Sequence, residues 1–293
     1  MKILVIGKNG QLARCLADEF RGKDFNVAFS SQSELDVSDL EKTKTKLKKI
    51  KPKIIINTSA YTAVDKAEND YESANKLNHL AVESMANLCK SIDCSLIHIS
   101  TDYVFDGEGF NYFKEDNKTN PQTVYGKTKL LGEMAVKKSG CNHIIIRTAW
   151  LFSGHGRNFL KTIIQLSHER DELNIVGDQI GCPTYTNDLA RAIIAVIPYS
   201  IDTRNSGIYH FAGSSSCSWA EFAENIFMIA LAEKKILKKP KINVTTSAES
   251  SASAKRPLNS RIDSSLFEES FKFPPSDWKQ GIKKVIAEGE SWI

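Results

Sequence analysis

The sequence has no run approaching the ~20 consecutive apolar residues that a membrane-spanning helix needs, so no membrane partner is expected. It has no Cys-x-x-Cys pair. Its six cysteines (Cys15, Cys89, Cys94, Cys141, Cys182 and Cys217) are scattered, which argues against a zinc site and against a disulfide framework. They read as reduced thiols of a cytoplasmic protein. The six histidines show no ligand spacing, and His168-Glu169 is not completed to His-Glu-x-x-His, so no metal is expected. Internal repeats are absent. So is a signal-peptide pattern: Met-Lys-Ile-Leu-Val-Ile-Gly reads as a strand from the start, which again points to the cytoplasm. One-sided charge is also lacking, with a net charge of only +4 over 293 residues. The one dense lysine run, Lys42 to Lys53, could be a nucleic-acid patch, but it reads better as the solvated face of a helix with Leu47 and Ile50 turned inward. No nucleic-acid partner is expected.

What is present is an ordinary globular composition, 41% hydrophobic and 25% charged, with length for one large or two modest domains. Lys2–Ile6 is apolar and β-branched, ends at Gly7-Lys8-Asn9-Gly10-Gln11-Leu12-Ala13, and is followed by a helical pattern through Leu12, Leu16 and Phe20. Strand, glycine turn and helix in that order form a dinucleotide-binding signature. Gly7 permits the tight turn, and Gly10 lets the backbone approach a pyrophosphate held at the helix N-terminus. Apolar strands at Asn26–Phe29, Ile54–Asn57, Ser95–Ser100 and His143–Thr148 then alternate with helices at Asp70–Ile92 and Thr123–Lys138. Alternation of this kind implies an α/β fold, a Rossmann-like doubly wound parallel sheet covered on both faces. Ligands bind such sheets at the carboxyl ends of the strands. Those ends carry Gly7–Gln11, Ser30, Asn57–Thr62, Ser100–Tyr103 and Thr148–Trp150, all polar or glycine-rich. Ser30 and Ser31 stand where an acid would bind the ribose hydroxyl of NAD; nothing there repels a 2′-phosphate and Lys8 would attract one. The expected cofactor is NADPH, with NADH tolerated.

Tyr125 and Lys129, in Val-Tyr-Gly-Lys-Thr-Lys-Leu-Leu-Gly-Glu, would share one face of a helix. An ammonium beside a phenol should pull the phenol's pKa down from about 10 toward neutrality. Such a phenol can exchange a proton with a carbonyl or alcohol oxygen while a nicotinamide moves a hydride at the attached carbon. Alone the pair is common, since eight tyrosines share the chain with many lysines.

Several segments together resemble one family. They are Gly-Lys-Asn-Gly-Gln-Leu (7–12), Glu-Leu-Asp-Val (34–37), Asn-Thr-Ser-Ala-Tyr-Thr-Ala-Val-Asp-Lys-Ala-Glu (57–68), Ser-Thr-Asp-Tyr-Val-Phe-Asp-Gly (100–107), Tyr-Gly-Lys-Thr-Lys (125–129), Arg-Thr-Ala-Trp-Leu-Phe (147–152) and Arg-Pro-Leu-Asn-Ser (256–260). In this order they are similar to the extended short-chain dehydrogenases/reductases, and within them to the dTDP-4-dehydrorhamnose reductases. The resemblance implies reduction of the 4-keto group of dTDP-4-dehydro-L-rhamnose, with a nucleotide-sugar as partner. It implies that Tyr125 donates the proton, that Lys129 lowers its pKa and holds the nicotinamide ribose, and that the Thr101 hydroxyl binds the reacting oxygen. Gly10, Gln11 and Leu12 would contact the pyrophosphate, Asp36 and Val37 would flank the adenine, and Ala60, Tyr61 and Thr62 would line the cofactor. Asp102 and Trp150 would face the sugar.

Other roles stay open for some of these. Thr101 could cap the chain, Asp36 or Ser38 could cap the next helix, and Trp150 could be core. Arg147 reads as a structural ion-pair partner, Asp65 and Glu68 as anchors of the loop after the third strand, and Arg256 either as a diphosphate or sugar contact or as a surface ion-pair partner. Some members of the family dimerise around a metal held by glutamates; Cys15 and Asn187 stand where those acids are expected, so a homodimer, if formed, would lack a metal bridge.

From Leu151 the pattern loosens into helices at Phe159–Arg170, Asn187–Ile197, Trp219–Leu231 and Trp278–Glu288, a strand at Gly207–Phe211, and a serine/alanine-rich loop at Ser247–Ala254. The expected division is a cofactor domain of residues 1–150 plus 185–212 and a smaller substrate-binding region of 151–184 plus 213–293. Two alternatives accompany this reading: a reductase of a related 4-keto-6-deoxy sugar, and a non-catalytic protein resembling the regulatory β subunit of methionine adenosyltransferase.

Overall fold

The computed structural model describes residues 1–249 and 253–289. Its centre is a six-stranded, wholly parallel sheet. The strands are β1 (Lys2–Ile6), β2 (Asn26–Ser30), β3 (Ile54–Asn57), β4 (Ser95–Thr101), β5 (His143–Thr148) and the edge strand Gly207–His210. Their spatial order is Gly207–His210, β5, β4, β3, β1, β2. The chain leaves β1 toward β2, then returns to β1's other side and proceeds through β3, so the topological switch lies between β1 and β3, where a ligand crevice forms. Ile3–Ile6 and Ile54–Ile56 are buried, as continuous apolar strands covered on both faces require.

Helices α1 (Gln11–Phe20) and Thr186–Val196 cover one face, joining Leu12, Leu16 and Phe20 to Leu189 and Ile193. The other face is covered by α2 (Leu40–Ile50), Ala81–Ser91 and Val124–Ser139, through Leu47, Val82, Met85 and Val136. The lysine-rich run thus lies largely on a helix that buries Leu47 and partly buries Ile50. A separate apolar cluster beyond the sheet joins Phe152, Leu160, Phe222, Phe227, Trp278 and Ile282.

Most expected elements form within a residue or two of their reading. The 70–92 stretch is not one α-helix: Asp70 caps Tyr71–Asn75, a π-helical turn spans Lys76–Leu80, and the α-helix resumes at Ala81–Ser91. The extra residue of the π turn places buried Asn78 so that it accepts from the Tyr61 amide at 2.8 Å and donates to Thr128 Oγ1 at 3.1 Å. Gly132 packs directly on this turn; a Cβ there would lie 2.2 Å from the Asn78 carbonyl oxygen. The second half also holds short strands that sequence periodicity did not reveal. Glu172–Val176 pairs in parallel with Lys241–Thr245, and Ile180–Gly181 pairs with Cys217–Ser218 and Asn259–Ser260. Of the serine/alanine-rich loop, 247–249 forms a 3₁₀ turn and 250–252 lie outside the described residues.

Candidate active site

After β1 the chain turns at Gly7, whose φ of +101° is disfavoured for any L side chain. A Cβ there would also lie 2.7 Å from Thr58 Oγ1. The Gly7 and Lys8 amides donate to the Ser30 carbonyl at 3.0 and 3.1 Å, tying the turn to β2. Gly10 is the N-cap of α1, and no side chain caps that end. The positive end of α1 and its first amides are thereby left to a ligand phosphate. The Gln11 side chain turns elsewhere: Nε2 donates to Thr186 Oγ1 at 2.8 Å and Oε1 accepts from Asn158 Nδ2 at 3.1 Å.

A cleft of ≈ 720 Å³ opens here. Gly7, Gly10, Gln11, Leu12, Asp36, Val37, Ala60, Thr62, Thr101, Asp102, Tyr125, Lys129 and Trp150 all line it. Tyr61 is not in the wall. Its hydroxyl donates to Asp70 at 3.1 Å and its amide is held by Asn78, so it fastens the loop instead. The cleft fits a dinucleotide: its wall includes the uncapped helix start and the glycine turn, and also buried Thr148, whose Oγ1 has no hydrogen-bond partner.

In the cleft wall beyond β2, the Asp36 carboxylate accepts from the Ser38 amide at 2.9 Å, which holds it below the usual carboxylate range. The cap of α2 is neither Asp36 nor Ser38 but Asp39, which accepts from the Lys42 amide. The end of β2 does carry an acid. Glu34 reaches back to accept from the Ser31 amide at 2.8 Å and the Ser31 hydroxyl at 2.9 Å, with the charges of Lys8 and Lys46 also acting on it. The expectation that nothing there opposes a phosphate is therefore corrected: three residues of separation hid an acid that the fold returns to Ser31.

Tyr125 and Lys129 lie on the helix Val124–Ser139, whose N-cap Thr123 accepts from the Gly126 amide at 3.0 Å. Glu68 accepts from the Val124 amide at 2.9 Å. A Cβ at Gly126 would lie 2.2 Å from the Tyr103 carbonyl oxygen, so glycine allows the helix start to abut the turn after β4. That turn carries Thr101, which donates to Asp102 Oδ1 at 2.9 Å and accepts from the Tyr103 amide at 3.2 Å. Thr101 therefore caps the chain and also lines the same cleft as the phenol. Tyr103 packs edge-on against Tyr125 at 5.5 Å between centroids.

Charge departs from expectation. Burial pushes the Tyr125 phenol well above its ordinary value; the Thr101 hydroxyl pulls it down, and Asp102 and Tyr103 push it up. Lys129 is turned into the sheet, where Nζ donates to the Ile99 carbonyl at 2.5 Å and lies 3.4 Å from His98 Nε2. Burial lowers the lysine to about 8 and Glu133 opposes this. The expected drop of the phenol toward neutrality is thus overturned: desolvation dominates, and the ammonium is spent on a carbonyl of β4. Burial also lifts Asp102 to about 6, and its Oδ2 has no partner.

Trp150, also in the cleft wall, has φ +48° and stacks on Trp219 with ring centroids 3.6 Å apart. Trp219 also lines the cleft, as do Tyr103, Arg157 and Asn158. Trp219 carried no sequence signal beyond its place after the helix cap Ser218. Arg256 borders the cleft and pairs with Asp65 at 2.6 Å, as the ion-pair reading expects, and reaches the Tyr103 hydroxyl at 3.3 Å. Arg147 is a buried partner of Glu133, away from the cleft wall.

A parallel sheet with a glycine turn at its switch point and a Tyr-x-x-x-Lys helix over the same cleft defines a Rossmann-type protein of the extended short-chain dehydrogenase/reductase kind. Within that class the chain belongs to the RmlD substrate binding domain family, whose model matches residues 1–291. It is 38% identical over 293 residues to a dTDP-4-dehydrorhamnose reductase of Aggregatibacter actinomycetemcomitans, covering 99% of each chain. A crystal structure of a dTDP-4-dehydrorhamnose reductase from Clostridium acetobutylicum is 38% identical, with TM-score 0.91 and coverage of 98% of this chain and 99% of that one. The Bacillus anthracis dTDP-4-dehydrorhamnose reductase, solved in complex with NADP, is 33% identical, with TM-score 0.90 and the same coverage.

Proposed function

We propose that this chain is an NADPH-dependent oxidoreductase that reduces the 4-keto group of dTDP-4-dehydro-L-rhamnose to give dTDP-L-rhamnose, for polysaccharide biosynthesis. The observation that carries this reading is that Thr101, Tyr125 and Lys129 line one cleft with the glycine turn of Gly7 and Gly10. The full-length relatives named for that reaction, one of them solved with NADP, support it. NADPH supplies the hydride when bound. The start of α1 at Gly10, Gln11 and Leu12, with Gly7 at the turn, would hold the pyrophosphate; Asp36 and Val37 would flank the adenine, and Ala60 and Thr62 would line the cofactor.

At the sugar, Thr101 orients the ketone oxygen. As the carbon gains a hydride, that oxygen gathers charge and takes the proton from the Tyr125 hydroxyl, so the C=O double bond becomes a C–O single bond with new C–H and O–H bonds. A phenol kept protonated by burial is suited to donating, which is the direction a reductase runs. Lys129 at about 8 can carry charge at neutral pH and, once freed from Ile99, can steady the phenolate and the ribose. Asp102, with one oxygen unpartnered, and Trp150 would meet the sugar.

The same proposal takes residues 1–150 plus 185–212 as the cofactor domain and 151–184 plus 213–293 as the nucleotide-sugar region, supported by the separate cluster around Phe222 and Trp278. Phe267 and Phe271 pack back onto the sheet's cluster, so the two regions interleave. Among the described residues no helix is long and apolar enough to cross a membrane. A cytoplasmic location and a homodimer without a metal bridge belong to the proposal.

The test is incubation of the purified chain with dTDP-4-dehydrorhamnose and NADPH, following loss of nicotinamide absorbance and identifying the sugar by NMR. Formation of dTDP-L-rhamnose is expected. Nucleotide binding without turnover would replace this reading with a regulatory binding protein, and a different 6-deoxy sugar would move it to a related reductase.

A further inference from the structure

Beneath Lys129 a line of polar groups runs across β3 and β4. Asn57, the last residue of β3, accepts at Oδ1 from the Ser59 amide at 3.1 Å and from the Ser59 hydroxyl at 2.6 Å. A backbone N–H only donates, so this edge of the amide is its oxygen and the nitrogen faces the other way. That nitrogen donates to His98 Nδ1 at 3.2 Å. His98 is fully buried in β4 and neutral, held well below its ordinary value by burial and then by the charge of Lys129. A neutral imidazole carries one ring proton, and with Nδ1 accepting, that proton is on Nε2. Nε2 lies 3.4 Å from Lys129 Nζ.

An ammonium has three donors and no acceptor, whereas an amine has a lone pair. An N–H aimed at Nζ opposes the first and suits the second. We propose that His98 is a positioning residue: locked as the Nε2–H tautomer by Asn57 and Ser59, it presents a donor to Lys129 and so sets how readily that lysine gives up its proton. The other charged group bearing on Lys129 is Glu133, one turn along the same helix and bound to Arg147 of β5; Tyr125 lies one turn before it on that helix. The functional part rests on the reading that Lys129 serves Tyr125. In that reading His98 acts on the pH dependence of the reaction through the lysine and touches neither cofactor nor sugar.

The tautomer is read first, by ¹⁵N NMR of the wild-type chain carrying labelled histidine, with His98→Phe assigning the signal. A protonated Nε2 and an unprotonated Nδ1 are expected; a protonated Nδ1 overturns the proposal, with no variant of Asn57 needed. The Lys129 titration is then followed through its labelled Cε in wild type, Asn57→Asp, His98→Phe and the double variant. A carboxylate at position 57 only accepts, so it draws the ring proton to Nδ1 and turns a lone pair toward Lys129. The titration midpoint should rise by about one pH unit or more. In the His98→Phe background the same substitution should move it by less than half as much. An equal shift in both backgrounds means that the new charge acts directly on Lys129, and the proposal fails. These titrations require no turnover, so they separate this proposal from the reductase assay. If that assay succeeds, the pH–rate profile of Asn57→Asp should move in the same direction; a stationary profile removes the role in the reaction.

Discussion

The Arg147 guanidinium grips the Glu133 carboxylate at two points, Nε to Oε1 at 2.9 Å and Nη2 to Oε2 at 2.7 Å, and both side chains are 2% exposed. The Ser100 hydroxyl donates to the same carboxylate. Arg147 belongs to β5, Ser100 precedes Thr101 in β4, and Glu133 lies one turn beyond Lys129. The contact therefore fixes where the Tyr125 helix sits along the sheet. Removing one partner strands a buried charge, so Glu133→Gln should lower unfolding stability by about 3–5 kcal/mol in a denaturant titration. The double change Glu133→Leu with Arg147→Met should recover most of that loss.

Tyr125→Phe keeps the ring and its packing on Tyr103 but removes the proton. Turnover should fall by about 10²-fold or more, the usual scale for a lost general acid, with NADPH binding nearly unchanged by fluorescence titration. Near-normal turnover would take Tyr125 out of the mechanism.

Asp102 gives stability a particular slope with pH. Burial lifts its carboxyl from 3.8 to about 6, so the folded chain holds that proton more tightly than the unfolded chain. Its contribution is full below about pH 4 and is lost as pH rises through about 6, amounting to about 3 kcal/mol at most. Asp102→Asn cannot titrate. Its melting temperature should gain on wild type at neutral pH and should not at pH 4; parallel curves across that range would contradict the assignment.

Glu34 bears on cofactor choice. It is bound to Ser31 at the end of β2, and the charge of Lys8 acts on it, where a 2′-phosphate would lie. NADPH should bind at least as tightly as NADH to the wild-type chain. Glu34→Gln should improve NADPH binding about threefold at low salt and leave NADH unchanged, as loss of one exposed like charge predicts. Lys8→Ala should act in the opposite sense on NADPH alone. Equal effects on both cofactors would place the 2′ position elsewhere.

The sheet was legible because its strands are unbroken apolar runs such as Ile54–Ile56, a pattern that burial on two faces imposes. The glycine turn and the Tyr125 helix were legible because their geometry depends on residues near in sequence: Gly7 at φ +101° and Thr123 capping Gly126. What escaped reading depends on distant or returning contacts. Glu34 acts on a residue before it, Lys129 chose the Ile99 carbonyl over the neighbouring phenol, and Trp219 reaches Trp150 across 69 positions of chain. Short strands such as Ile180–Gly181 exist only because partners from two other segments arrive beside them. The π turn at Lys76–Leu80 escaped because one added residue in a helix leaves its apolar spacing almost intact.

That added residue has an evolutionary corollary. With Gly132 seated on the Asn78 carbonyl, main chain rests on main chain, and no side chain remains to take up slack. Deleting one position from the turn would rotate Asn78 by about 100° away from Tyr61 and Thr128. Descendants of this sequence can lengthen their surface loops freely, but this crossing has to be inherited as a single unit.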